Sequence, residues 1–174
     1  LDVLRRNATK IDGVKVSLLD KDKEVRMRNG LPDGVRMYTG DDFNYAELIA
    51  GNERGFSDAL LGIFSAIAPA ASAALTALGE NDLTKFNEIF AKTIPLSRHI
   101  FKSPTRFYKA GIVFMAYLNG HQDHFIMVGG QQSTRSIIHL SQVYRLADKA
   151  GLLRNPELAA IRMQRVLAVH GIGD

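Results

Sequence analysis

The chain has 174 residues, a formal net charge of +4 and no cysteine. This length suffices for one domain with its own core, and the absence of cysteine excludes disulfides and thiolate metal sites. The basic residues are spread along the chain, so the charge does not predict nucleic-acid binding. No apolar run is long enough for a membrane helix and no secretory signal is recognisable, so we expect a cytoplasmic protein without a membrane partner.

Residues 11–17 read Ile-Asp-Gly-Val-Lys-Val-Ser. In an extended strand, Val14 and Val16 point to one face and Lys15 to the other. A helix-start signal follows at Asp20, so the segment is typical of the strand in a βα unit. At the carboxyl end of a barrel strand, such a lysine would be desolvated and its amine could form a Schiff base with a carbonyl compound. The alternative is a strand-end lysine whose amine reaches water.

Two further strands are predicted downstream. Residues 35–38 are predicted to form a short strand after the turn at Pro32, and Gly40-Asp41-Asp42 stands where a βα loop begins. A short helix over residues 43–50 ends at Gly51, and residues 56–64 are almost wholly apolar, as in a strand buried on both faces. The order is therefore βαβαβα.

This order predicts an α/β fold in which residues 1–78 are the last three βα units of a (β/α)8 TIM barrel. Three strands cannot close a barrel, so its N-terminal half is expected upstream of Leu1, as a missing partner. The alternative is a small open sheet. Residues 79–174 are predicted to form a helical C-terminal extension with helices over residues 83–93, 106–119, 136–150 and 156–169, and with one further short strand over residues 125–128.

Three segments carry a resemblance to a known family. The segments resemble, in order and spacing, the lysine strand and the two following strands of the dihydrodipicolinate synthase and N-acetylneuraminate lyase family. They are the Lys15 segment, the Tyr38-Thr-Gly-Asp-Asp42 segment, and residues 58–69, which end in Ala-Ile-Ala-Pro. The resemblance covers roughly residues 1 to 119. Val16 departs from the pattern, because the family usually has an acidic or aromatic residue after the lysine, and this indicates a divergent branch.

The resemblance implies a class I aldolase-type lyase that joins or cleaves a 2-oxo acid such as pyruvate and an aldehyde. Lys15 would be the imine-forming catalytic residue, and Ser17, Gly40, Asp41 and Gly62 would bind substrate. It implies no cofactor, no metal, and a homo-oligomer. The family's proton-shuttling tyrosine comes from a strand before the lysine strand, so neither Tyr38 nor Tyr45 matches it.

Each residue has a structural alternative. Ser17 could bind a strand-end carbonyl, Asp42 is expected to cap the helix that follows it, and Gly62 could be a packing glycine. His121 and His124 have metal-ligand spacing but lie in a predicted loop, which favours solvated surface over a metal site. At the level of function, the alternative is a non-catalytic barrel descendant that serves small-molecule binding or assembly. A different phosphate-binding barrel enzyme is a third and weaker hypothesis, because no glycine-rich phosphate loop is found.

Overall fold

The computed structural model describes residues 1–173, and the last residue of the predicted second domain, Asp174, lies outside them. The strands are β1 (Gly13–Val16), β2 (Arg36–Thr39) and β3 (Asp58–Ala59). The α-helices are α1 (Asp2–Arg6), α2 (Lys21–Arg28), α3 (Tyr45–Ala50), α4 (Phe64–Gly79), α5 (Leu83–Phe101), α6 (Tyr108–Leu118), α7 (Ile137–Lys149) and α8 (Pro156–Val169). Short 3-10 segments span Ala8–Lys10, Thr105–Phe107 and Val128–Thr134.

The three strands form one parallel sheet in the order β1-β2-β3. Lys15 lies opposite Tyr38 in the register of β1 and β2, and Thr39 lies opposite Ala59 in that of β2 and β3. Helices α2 and α3 connect successive strands, as parallel pairing requires. The carboxyl ends of all three strands therefore meet at one edge of the sheet, where the residues just after each strand come together.

The prediction of a TIM-barrel portion is wrong. Helices of all kinds account for 61% of the structure, and the strands have only four, four and two residues. The apolar segment 56–64 is not a doubly buried strand, because Phe56 and Leu60 are 62% and 49% exposed and the chain enters α4 at Phe64. The chain is a mostly helical domain with a small parallel sheet.

The hydrophobic core lies among the C-terminal helices. Phe86, Phe90 and Phe114 are completely buried there. Tyr45 of α3 packs its ring edge-on against Phe90 at 5.0 Å between centroids, and its hydroxyl lies 2.6 Å from Thr93 Oγ1. The core thus reaches the helix that follows β2 and anchors the sheet, and α4 and α5 pack together on either side of the predicted boundary at residue 78.

The predicted helices are present, with differences at their ends. Asp82 caps α5 through Lys85 N–H, as expected, but α5 continues through Pro95 to Phe101. The helix-breaking cost of a proline is offset here by complete burial of Leu96 and Ile100 beyond it. The strand predicted over residues 125–128 is not formed. Within residues 1–173, no helix combines the length and the apolar character that crossing a membrane requires.

Candidate functional site

The two faces of the sheet differ in polarity. Val16, Met37 and Thr39 are buried on the face toward α2 and α3, whereas Lys15 is exposed and Tyr38 half-buried on the opposite face. This separation follows from strand alternation. The expectation that Lys15 is desolvated is wrong, because the sheet face that carries it is open in the described part of the chain.

Lys15 nevertheless has a defined position. Its side chain lies over Gly40, so that a Cβ atom placed on Gly40 would be only 2.6 Å from Lys15 Cε and closer still to Ser17 Oγ. The Gly40 amide donates to the Val16 carbonyl at 2.6 Å, which brings the two strand ends together. Gly40 therefore makes room for the side chains of Lys15 and Ser17 at the carboxyl edge of the sheet.

The two adjacent aspartates have different environments. Asp41 Oδ1 accepts hydrogen bonds from the Phe43 and Asn44 amides at 2.9 and 3.0 Å, and its Oδ2 accepts one from the Asn44 side chain at 2.8 Å. Asp41 is 1% exposed and holds the turn before α3. The expectation that Asp42 caps this helix is wrong, since Asp41 binds these amides, and the predicted substrate-binding carboxylate is turned toward its own backbone.

Asp42 is instead buried at the start of α4. Its Oδ1 accepts a hydrogen bond from Ile63 N–H at 2.7 Å, and its carbonyl oxygen accepts one from Ser97 Oγ at 2.6 Å. Burial raises the pKa of the Asp42 carboxyl to about 6, against the opposing effects of the Ile63 amide and of the positive charge of Lys15. Such a carboxyl can exchange a proton near neutral pH, a role that the sequence reasoning missed.

Gly62 has two roles. Its backbone amide contacts the Asp42 carboxyl, and its lack of a side chain leaves room for core residues. Its amide contributes to holding the Asp42 carboxyl ionised. A Cβ atom on Gly62 would lie 2.8 Å from Phe101 Cζ, and the Phe101 ring stacks on Tyr108 at 4.5 Å between centroids. Gly62 is therefore a packing glycine with respect to the Phe101 ring, as the structural alternative predicted. The backbone amide of Gly62 faces the Asp42 carboxyl.

A buried polar network fixes the end of β2 from behind. Glu24 Oε2 accepts a hydrogen bond from Thr39 Oγ1 at 2.9 Å and Glu24 Oε1 accepts one from Ser57 Oγ at 2.8 Å. Thr39 Oγ1 in turn accepts from the Asp41 amide at 3.1 Å. Burial raises the pKa of the Glu24 carboxyl. The network sets the position of the chain directly before Asp42.

The open face also carries a cluster that the sequence did not indicate. Arg36 donates to both carboxylate oxygens of Asp12 at 2.8 Å, and the Tyr38 hydroxyl donates to Asp12 Oδ2 at 2.6 Å. These hydrogen bonds lower the pKa of the Asp12 carboxyl, with that from Tyr38 making the largest contribution. The Tyr38 hydroxyl is thus committed to Asp12, while that of Tyr45 is buried against Thr93.

Comparison with protein families matches residues 1–172 to the family described as protein of unknown function DUF993. The chain belongs to the DUF993 family. No curated protein matches the chain. The family description carries no activity, so any function must be argued from the chemistry of the site.

At the carboxyl edge of the sheet the side chains of Lys15 and Ser17 lie over Gly40, and the buried Asp42 follows two residues later. His121 and His124 are exposed in the loop after α6. Among residues 1–173, no group of three or more His, Cys, Asp or Glu side chains is arranged to hold a metal ion.

Proposed function

We propose that this chain carries the nucleophilic lysine of a carbonyl-condensing lyase or aldolase. Its substrates would be a 2-oxo acid such as pyruvate and an aldehyde, and Lys15 would form the imine. The observation that supports this most directly is the position of Lys15 over Gly40, at the edge of the sheet where its positive charge acts on the buried Asp42 carboxyl. The resemblance of the Lys15, Gly40 and residue 58–69 segments to the dihydrodipicolinate synthase and N-acetylneuraminate lyase family supports the same chemistry.

The reaction begins when the neutral amine of Lys15 attacks C2 of the 2-oxo acid. The carbinolamine then gains a proton on its hydroxyl and loses water, which leaves a protonated imine. This imine withdraws electrons, so a proton leaves C3 and an enamine forms. The enamine carbon bonds to the aldehyde carbon, and the aldehyde oxygen takes up a proton. Hydrolysis of the second imine restores Lys15, and the reverse sequence cleaves the bond.

Asp42 is suited to the proton transfers of this cycle. A pKa of about 6 lets its carboxyl act as an acid and as a base at neutral pH. The Ile63 amide donates to its Oδ1 at 2.7 Å, and the Gly62 amide also contributes to holding the carboxyl ionised. Ser17, on the same strand face as Lys15, places its hydroxyl at Gly40, where it can donate to a substrate oxygen.

Exchange of the methyl protons of pyruvate for deuterium in D2O tests this proposal. An imine of pyruvate forms the enamine reversibly, so catalysed exchange reports on both steps without requiring the aldehyde. We expect the protein to accelerate exchange, Lys15→Ala to abolish the acceleration, and Lys10→Ala, at another exposed lysine, to leave it unchanged. Equal exchange by the wild type and Lys15→Ala would refute the assignment.

Small-molecule binding without catalysis is the second candidate function. The exposure of Lys15 favours it, because burial is one of the usual means by which a lysine is activated as a nucleophile. Saturable binding of pyruvate without deuterium exchange, measured on the same protein, would identify this function.

A further inference from the structure

A cleft lies between α5 and α7, apart from Lys15 and Asp42. Its volume is about 430 Å³. Its walls carry basic and hydrogen-bonding side chains, together with one exposed isoleucine at the rim. The lining residues are His99, Lys102, Ser136, Ile138, His139, Ser141, Gln142 and Arg145.

Two histidines stack in this cleft. The rings of His99 and His139 lie 4.2 Å apart between centroids with 19° between their planes. His139 is 5% exposed, and neither of its ring nitrogens has a hydrogen-bond partner in the described chain. His99 Nε2 lies 3.0 Å from the His139 carbonyl oxygen, to which it can donate. An unpartnered polar ring at this depth is costly, and a ligand is one way in which such a ring is satisfied.

The charges around the histidines have one sign. None of the residues that line the cleft is acidic. Lys102 and Arg145 line the cleft and are exposed. Arg135, buried beside them, donates to main-chain carbonyls at the end of α5, including that of Lys102 at 2.6 Å. Among residues 1–173, Arg135 forms no salt bridge with a carboxylate. Such a concentration of cations is suited to an anion.

The N-terminus of α7 opens into the same cleft. Ser136 caps the helix by accepting the His139 amide on its side chain at 3.2 Å and the Leu140 amide on its carbonyl oxygen at 3.1 Å. The two amides before them, of Ile137 and Ile138, have no intrahelical partner, as at the start of any α-helix. Backbone amides and the positive end of the helix dipole thus add to the charged side chains.

We propose that this cleft binds a phosphate group, either as inorganic phosphate or as the phosphate ester of a small molecule. The donors come from several directions, namely Lys102, Arg145, the Ser136 hydroxyl and the first turn of α7. A tetrahedral group with several terminal oxygens matches this distribution better than a planar carboxylate, which offers two oxygens in one plane. Bound phosphate would also favour protonation of the stacked imidazoles.

Nuclear magnetic resonance of the full chain with labelled histidine rings tests the site. Inorganic phosphate is titrated at constant ionic strength, with chloride replacing it in the reference series. We expect saturable shifts of the ring signals of His99 and His139. Lys102→Ala and Arg145→Ala should each weaken the affinity about tenfold, as loss of one charge-assisted contact predicts. Lys149→Ala, exposed on the same helix outside the cleft, should bind like the wild type.

Repeating the titration with phenyl phosphate identifies the source of the group. Tighter binding of the ester than of inorganic phosphate supports a small-molecule phosphate, and equal affinities support free phosphate. Shifts that do not saturate, or an affinity that neither substitution lowers, would overturn the site. Lys15→Ala should bind phosphate normally, so this result stands apart from the outcome of the deuterium-exchange experiment.

Discussion

Lys15 and Asp42 reach the same edge of the sheet from neighbouring strands. Lys15 extends over Gly40 from β1, and Asp42 follows β2, where the positive charge of Lys15 acts against the burial that raises the pKa of the Asp42 carboxyl. Two residues far apart in sequence thus influence each other electrostatically without a direct salt bridge between them. The proposed chemistry depends on this arrangement.

Gly40→Ala tests the space that Lys15 occupies. The new methyl group would overlap the positions of Lys15 Cε and Ser17 Oγ, so both side chains must move. We expect deuterium exchange into pyruvate to fall at least about tenfold, because a small misplacement of a reacting group is costly. The free energy of unfolding should fall by only about 1 kcal/mol, since flexible side chains can yield. Gly79→Ala, where a Cβ atom meets open space, should preserve exchange, and a fully active Gly40→Ala would contradict the geometry.

Asp42→Asn should change the dependence of stability on pH. The folded-state pKa of Asp42 is about 6, above its ordinary value of 3.8, so the folded protein binds the proton more tightly than the unfolded chain. The wild type therefore gains stability from this group as pH falls through about 6 and carries a penalty above it. Asparagine keeps the oxygen that accepts the Ile63 amide but cannot ionise.

Urea denaturation at about pH 8 and about pH 4 measures this effect. At the higher pH the substitution should stabilise the protein by about 2–3 kcal/mol, and near the lower pH the two proteins should differ little. The substitution should also remove from the exchange rate any inflection near pH 6. A stability difference that does not change with pH would show that Asp42 does not titrate as described.

Thr39→Val tests the network behind β2. Valine has nearly the shape of threonine but lacks the hydroxyl that donates to Glu24 Oε2 and accepts the Asp41 amide. We expect the free energy of unfolding to fall by about 1–3 kcal/mol, because a buried carboxylate oxygen loses its donor. Thr76→Val, at an exposed position in α4, is the matched control and should change stability by less than about 0.5 kcal/mol. Equal effects of the two substitutions would contradict the network.

The His99–His139 stack predicts a loss of stability in acid. Burial lowers the pKa of His139 to about 3, with further contributions from His99, Arg135 and Lys102. The unfolded chain therefore binds a proton that the folded chain does not, and stability falls as pH drops below about 6.5. Arg145 also lines the cleft.

The free energy of unfolding of His139→Gln, measured at pH 7.5 and pH 4.5 beside the wild type, checks the predicted loss of stability in acid. The decrease in stability between these conditions should be smaller than in the wild type by about 2 kcal/mol. His124→Gln, at an exposed histidine, should keep the wild-type decrease. An identical decrease in His139→Gln would mean that folding does not lower the pKa of His139, and it would contradict the prediction.

Helix positions could be predicted from the sequence where capping signals are local. Asp82 before α5 and Pro156 at the start of α8 mark helix beginnings that the structure confirms. Pro95 was misleading, because the local cost of proline in a helix is outweighed by burial that depends on distant partners. The apolar segment 56–64 failed as a strand for the same reason, since burial on both faces requires neighbours that the sheet does not provide.

The roles of the two aspartates could not be predicted from their order. Both follow the same strand and either could cap the helix after it. The turn presents its amides to Asp41, and Ile63, directly before α4, presents its amide to Asp42. The different roles of Asp41 and Asp42 depend on residues from another part of the chain. The local sequence around the two aspartates does not predict how that part packs against them. Lys15 was identified from its neighbours in sequence, but its exposure depends on what covers the sheet.

Trapping of the imine with borohydride tests the central proposal most directly. The full chain is incubated with pyruvate, reduced, digested and analysed by peptide mass spectrometry, with Lys15→Ala and Lys10→Ala treated in parallel. We predict one reduced pyruvate adduct, located on Lys15, which is lost in Lys15→Ala and retained in Lys10→Ala. An absence of label on Lys15, or label spread evenly over the exposed lysines, would contradict the proposal.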